Sequence, residues 1–173
     1  MQKALLLVVD MQKGFVTTDA TRAIVPAVNR LVERWQEQGW PIVYSRFVNI
    51  ENSNWERLRD WHELKGEPQT QLVDELTVAS PYVFKKSTYA AWSHETAAVC
   101  QAHDVREAVI VGVDTNECVL ATALAVFDAG LMPWIVSDCC ASSGGSEPHK
   151  MALRLLRPLL GTQQVITSEE IRI

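Results

Sequence analysis

Three side chains of different chemistry fall where short apolar runs of the sequence stop. Ala4-Leu5-Leu6-Leu7-Val8-Val9 runs into Asp10, a second run ends in Lys85-Lys86, and a third gives way to Asp114-Thr115-Asn116-Glu117-Cys118. A carboxylate, an ammonium and a thiol on one rim are the parts for nucleophilic attack on a carbonyl carbon. A thiol at a helix start sits in a field that favours the thiolate. A neighbouring lysine favours it further, and a neighbouring carboxylate can accept the thiol proton. Each residue also has an ordinary reading: Asp10 as a loop cap, either lysine as a solvated charge, Cys118 as a small buried core residue. Three functional types at three strand ends favour the chemical reading.

The elements that must position them follow from hydrophobic patterning. Apolar runs at 4–10, 41–47, 82–86, 107–113, 132–138 and 163–167 are nearly continuous, several of them rich in Val and Ile, as expected of strands buried on both faces. Helical spacing lies between them. Val28, Leu31, Val32 and Trp35 follow Pro26 and stop at Gly39, and Ser93 caps a helix holding Val99 and Ala102. A third helix over about 116–129 turns Val119, Ala123, Val126 and Phe127 inward and stops at Gly130. A fourth carries Met151, Leu155, Leu156 and Leu159 and ends near Gly161. Strand alternating with helix predicts one domain over 1–173, a three-layer α/β/α arrangement around a mostly parallel, six-stranded, Rossmann-like sheet. The segment 49–80 breaks the alternation; with Trp55, Trp61, Leu64 and Leu72 it reads as an ordered excursion containing short helices. Ligands of open α/β sheets bind beyond the carboxyl ends of the strands, which is where the three residues lie.

The chain has 173 residues and a formal net charge of −5, with 47 % apolar and 21 % charged residues. No basic stripe speaks for nucleic acid. No apolar run approaches the ~20 residues of a membrane span, and the first run lacks a signal-peptide cleavage site, so a cytoplasmic protein is expected. The four cysteines, Cys100, Cys118, Cys139 and Cys140, show no C-x-x-C spacing and are expected to be free thiols. Ser142-Ser143-Gly144-Gly145 follows the fifth strand rather than the first, so it is no dinucleotide fingerprint; it is expected to cap the fourth helix and shape the pocket rim.

Taken together, Val9-Asp10-Met11-Gln12-Lys13-Gly14-Phe15, Lys86-Ser87-Thr88-Tyr89-Ala90-Ala91-Trp92, Gly112-Val113-Asp114-Thr115-Asn116-Glu117-Cys118-Val119 and Val136-Ser137-Asp138-Cys139-Cys140-Ala141-Ser142 resemble, in order, the motifs of the isochorismatase-like cysteine hydrolases. Ala90-Ala91-Trp92 departs mildly from the family's Ser-Ala-Phe-like triplet. The resemblance spans nearly the whole chain. It implies the isochorismatase-like fold and a catalytic triad of Asp10, Lys86 and Cys118, with Lys86 chosen over Lys85 by its spacing to the triplet. It also implies a cis peptide at Val113-Asp114 and an oxyanion hole made by the N–H groups of Asp114 and Cys118. The implied reaction is hydrolysis of a C–N bond in a small amide or carbamoyl compound through a thioester. An ether hydrolase and a catalytically idle ligand-binding protein on the same fold are the alternatives.

Nicotinamidases of the family carry an Asp-x-His pair after strand two, where this chain has Ser45-Arg46-Phe47-Val48-Asn49. Asp60-Trp61-His62 lies too late to replace it, and His94, His103 and His149 lack partners at ligand spacing, so no metal and no cofactor are expected. Phe15, Arg46, Phe47, Tyr89 and Trp92 are the candidates for lining a small-molecule pocket. The role of the Asp114 side chain stays open. Segment 50–64 reads as a lid or a subunit contact; family members are commonly oligomers and Trp is enriched at interfaces, so a contact in a homo-oligomer is favoured.

Overall fold

The computed structural model describes residues 2–173. Six strands form one parallel sheet: β1 (Leu5–Val9), β2 (Ile42–Phe47), β3 (Val83–Lys86), β4 (Glu107–Val113), β5 (Met132–Ala141) and β6 (Val165–Ile166), in the order β3-β2-β1-β4-β5-β6. The helices are α1 (Asp19–Ala23), α2 (Val25–Glu37), α3 (Asn54–Arg59), α4 (His94–Ala102), α5 (Leu120–Asp128) and α6 (Ser146–Leu160). Chain order runs outward in both directions from the β1–β4 pair, so the switch point lies at their carboxyl ends. No helix among the described residues is long and apolar enough to cross a membrane.

The continuous apolar runs are strands because both faces are covered. Leu6 and Val8 of β1 pack against Val28, Leu31 and Trp35 of α2. Leu5, Leu7 and Val9 face the layer that holds Val99 of α4, Ala123 of α5 and Leu156 of α6. The three layers follow from this alternation within a single five-residue strand.

Three expectations need correction. β5 does not stop at 138 but continues through Cys139 and Cys140 to Ala141, with a register shift against β4 between Ile110 and Gly112. Phe127 does not turn inward: Thr122, Ala123 and Val126 bury the inner stripe of α5, and Phe127 is 49 % exposed. On α6, Leu156 is buried whereas Met151, Leu155 and Leu159 are exposed. The Ser/Gly stretch caps α6 as expected, through Gly145 and with no side-chain bond, while Ser143 reaches Asp114.

Candidate active site

β1 ends at Asp10, which takes a left-handed backbone (φ 50°) and is wholly buried. Gln12, two residues on, straps the neighbouring strand end in place. Its amide nitrogen donates to the carbonyls of Phe47 (2.9 Å) and Thr70 (3.0 Å), and its oxygen accepts from the Phe47 N–H (2.6 Å). Ser45 of β2 donates to Asp10 Oδ1 at 2.6 Å and accepts from the Asp10 N–H at 3.2 Å. The other carboxylate oxygen, Oδ2, meets Lys86 Nζ at 2.7 Å. Lys86 is 7 % exposed; it also donates to the carbonyls of Thr88 (2.8 Å) and Tyr89 (3.0 Å) and lies 5.3 Å from the Phe47 ring centre. Lys85, its neighbour, is exposed, as alternation along a strand requires.

The thiol arrives from β4. The Val113–Asp114 peptide is cis, and Thr115–Val119 forms a π-helical turn that leads into α5. Cys118 is buried on this turn, and Lys86 Nζ lies 3.6 Å from its Sγ. Thr122 ties the turn down by donating to the Cys118 carbonyl at 2.6 Å and accepting from the Ala91 N–H at 2.8 Å. The turn also rests on α6, where Thr115 Oγ1 and His149 Nδ1 are 2.8 Å apart. Burial pushes the Cys118 thiol well above its ordinary pKa, the Asp10 charge adds to this, and Lys86 pulls the other way. Desolvation outweighs the lysine in the direction of this shift.

An open cavity of about 210 Å³ lies over Cys118. Phe15, Phe47, Trp55 and Trp61 wall it, and Asp114, Glu117, Arg59 and Ser143 give it polar atoms. Of the residues expected to line it, Phe15 and Phe47 do. Arg46 points to the excursion, donating to the Thr70 carbonyl at 2.7 Å and pairing with Glu67 at 3.7 Å. Trp92 packs into the layer of α4 and α5. Tyr89 stands behind the wall, its ring 4.3 Å from that of Trp55 and its hydroxyl accepting from Arg59.

Trp55, Trp61 and Arg59 escaped the sequence reading because they lie on the excursion, whose path is set by packing on Phe47 and Leu64. The two tryptophans line the cavity. Glu117 was visible as a neighbour of Cys118, with no signal of the direction it faces, whereas Ser143 lies at the cavity as expected of the Ser/Gly stretch. His62 meets Asp60 at 3.0 Å and Glu56 at 3.4 Å, away from the cavity. Among the described residues no three His, Cys, Asp or Glu side chains are grouped to hold a metal ion.

This sheet and the site at its switch point define the isochorismatase-type α/β hydrolases. The chain belongs to the isochorismatase family: the family model for the isochorismatase domain matches residues 4–170. It is similar to the uncharacterized isochorismatase family protein YaaI of Bacillus subtilis (28 % identical, 95 % of this chain and 93 % of that protein covered). Its fold matches the N-carbamoylsarcosine amidase of Thermoplasma acidophilum, with TM-score 0.86, 23 % identity, and 99 % of this chain and 100 % of that chain covered. It also matches an isochorismatase-like hydrolase of Alkaliphilus metalliredigens, with TM-score 0.84, 23 % identity, and 97 % and 96 % covered.

Proposed function

We propose that the protein hydrolyses the C–N bond of a small amide or carbamoyl compound through a Cys118 thioester. The observation that carries this reading is the contact of one buried ammonium with both other groups: Lys86 Nζ lies 2.7 Å from Asp10 Oδ2 and 3.6 Å from Cys118 Sγ. The amidase among the structural neighbours supports the substrate class. The cavity volume lies below the roughly 300–1,000 Å³ of sites for drug-sized ligands, which fits a small substrate.

In this mechanism Asp10 takes the thiol proton as Sγ bonds to the carbonyl carbon. The N–H groups of Asp114 and Cys118 hold the oxyanion, each such donor contributing about 3 kcal/mol to the transition state. The tetrahedral adduct collapses, the C–N bond breaks, and Asp10 returns the proton to the leaving nitrogen. A water molecule then attacks the thioester, giving its proton to Asp10, and the C–S bond breaks. The released sulfur recovers the proton and the acid product leaves. Lys86 holds the Asp10 carboxyl in position throughout.

The test is ammonia release from a panel of small amides, ureido acids and carbamoyl compounds. Cys118→Ala should lower the rate by about a thousandfold or more while circular dichroism stays native. Equal turnover by wild type and Cys118→Ala would remove the mechanism.

A further inference from the structure

The charges around the cavity do not balance. Asp10 is met by Lys86 at 2.7 Å. Glu117 is met by Arg59, whose two terminal nitrogens each donate to one carboxylate oxygen at 3.2 Å. Among the described residues Asp114 has no such partner. Its two oxygens accept from the N–H (2.9 Å) and the hydroxyl of Ser143, both neutral donors. Burial raises the pKa of this carboxyl, and the charges that bear on it, Glu117 and Asp10, are both negative and raise it too. One carboxylate thus borders the cavity without a cation.

The walls favour the same sign of ligand. Aromatic faces attract cations, and aromatic cages recognise alkylammonium groups. Two of the rings already carry cations of the protein itself: Lys86 over Phe47 at 5.3 Å and Arg59 over Trp55 at 5.6 Å. Phe15 and Trp61, stacked with ring centres 6.2 Å apart, carry none among the described residues. Arg59, the cation that lines the cavity, is already paired with Glu117.

We propose that the substrate of this site carries a positive charge: a small amide or carbamoyl compound with an ammonium group, held between the Asp114 carboxylate and the aromatic walls. The inference rests on the hydrolase reading above for the scissile bond, and on the charges and aromatic walls of the cavity for the cation. Asp114 serves it as a specificity-determining residue.

The experiment compares three amides of similar length: 4-aminobutanamide (cation), pentanamide (its neutral isostere) and succinamate (anion). For the wild type, kcat/KM from ammonia release should favour the cation over pentanamide by about tenfold or more. Asp114→Asn should collapse that ratio towards one. Calorimetric titration of the three amides into Cys118→Ala protein reads the same preference without turnover. Cation-selective binding with no turnover by wild type would uphold the charge preference and sink the hydrolase reading. Turnover without charge preference would do the reverse. A preference for succinamate that Arg59→Gln removes, or equal or absent binding of all three, would overturn the proposal.

Discussion

At the residue scale, the determining contact is the one between two charges taken out of water together. Asp10 is wholly buried and Lys86 nearly so. Such a pair is weak evidence for stability, yet removing one partner leaves an uncompensated buried charge and costs about 3–5 kcal/mol. Lys86→Ala should therefore lower the urea midpoint by that equivalent as well as most of the activity. Ser45 holds only one of the two carboxylate oxygens that remain. Lys85→Ala, at an exposed position, should stay within about 0.5 kcal/mol of wild type and keep its activity. Equal midpoints for the two variants would mean that Asp10 does not depend on Lys86. Asp10 and Cys118 were legible because an apolar run stops at each strand end. The choice between the adjacent lysines was not legible from the run alone; it needed motif spacing. Arg59 left no trace, since its orientation depends on a partner 58 residues away in sequence.

At the element scale, β4 must lie close against β1 to bring Cys118 to the Asp10 end, and Gly112 makes that approach possible. Gly112 pairs with Val9 and has φ 118°. A Cβ there would stand 2.1 Å from the Val9 carbonyl oxygen, a backbone atom that cannot swing aside. Gly112→Ala should cost more than about 4 kcal/mol, seen as loss of soluble protein or a collapsed melting temperature. Gly130 supplies the control: its φ is 80° but nothing lies within 4 Å of its Cβ position, so Gly130→Ala should cost only the left-handed strain of about 1–2 kcal/mol. Equal melting temperatures would show that β1 and β4 can move apart. Strands and helices were legible here because burial on two faces writes itself as unbroken Val/Ile/Leu and burial on one stripe as helical spacing. The excursion was not. A six-residue helix such as α3 has no periodicity to read, and its Trp55 faces the cavity only because Phe47 and Leu64 hold it there. Phe127 misled for a related reason: it borders the inner stripe at the last turn of α5, where spacing alone does not decide between core and solvent.

At the scale of the whole molecule, four thiols are taken out of water, and this couples stability to alkaline pH. Burial holds Cys100 up to about 11 and Cys139 up to about 12, with Asp138 adding to the latter; it raises Cys140 further and raises Cys118 with help from Asp10. Unfolded thiols titrate near 8.5. For each group the folded pKa is the higher, so above pH ~8.5 the unfolded chain has released protons that the native state still binds. Stability is then fully present below that pH and falls as pH rises, by on the order of 1 kcal/mol per pH unit for each thiol, until the folded pKa is reached. Burial of the Tyr44 hydroxyl acts in the same direction at still higher pH. The unfolding free energy of wild type from urea titrations should therefore be level from pH 7 to 8 and decline steeply between 9 and 10.5. Cys139→Ala and Cys100→Ala should each make that decline shallower by one thiol's share, whatever they cost at neutral pH. A decline of equal slope in wild type and in the double variant would show that the thiols are not what binds those protons. The same burial predicts the labelling pattern. Only Cys118 borders the cavity, so an alkylating agent at pH 8 should modify one thiol of the native protein at a measurable rate and all four only in denaturant. Rapid native labelling of a second cysteine would place a thiol at the surface that the fold holds inside.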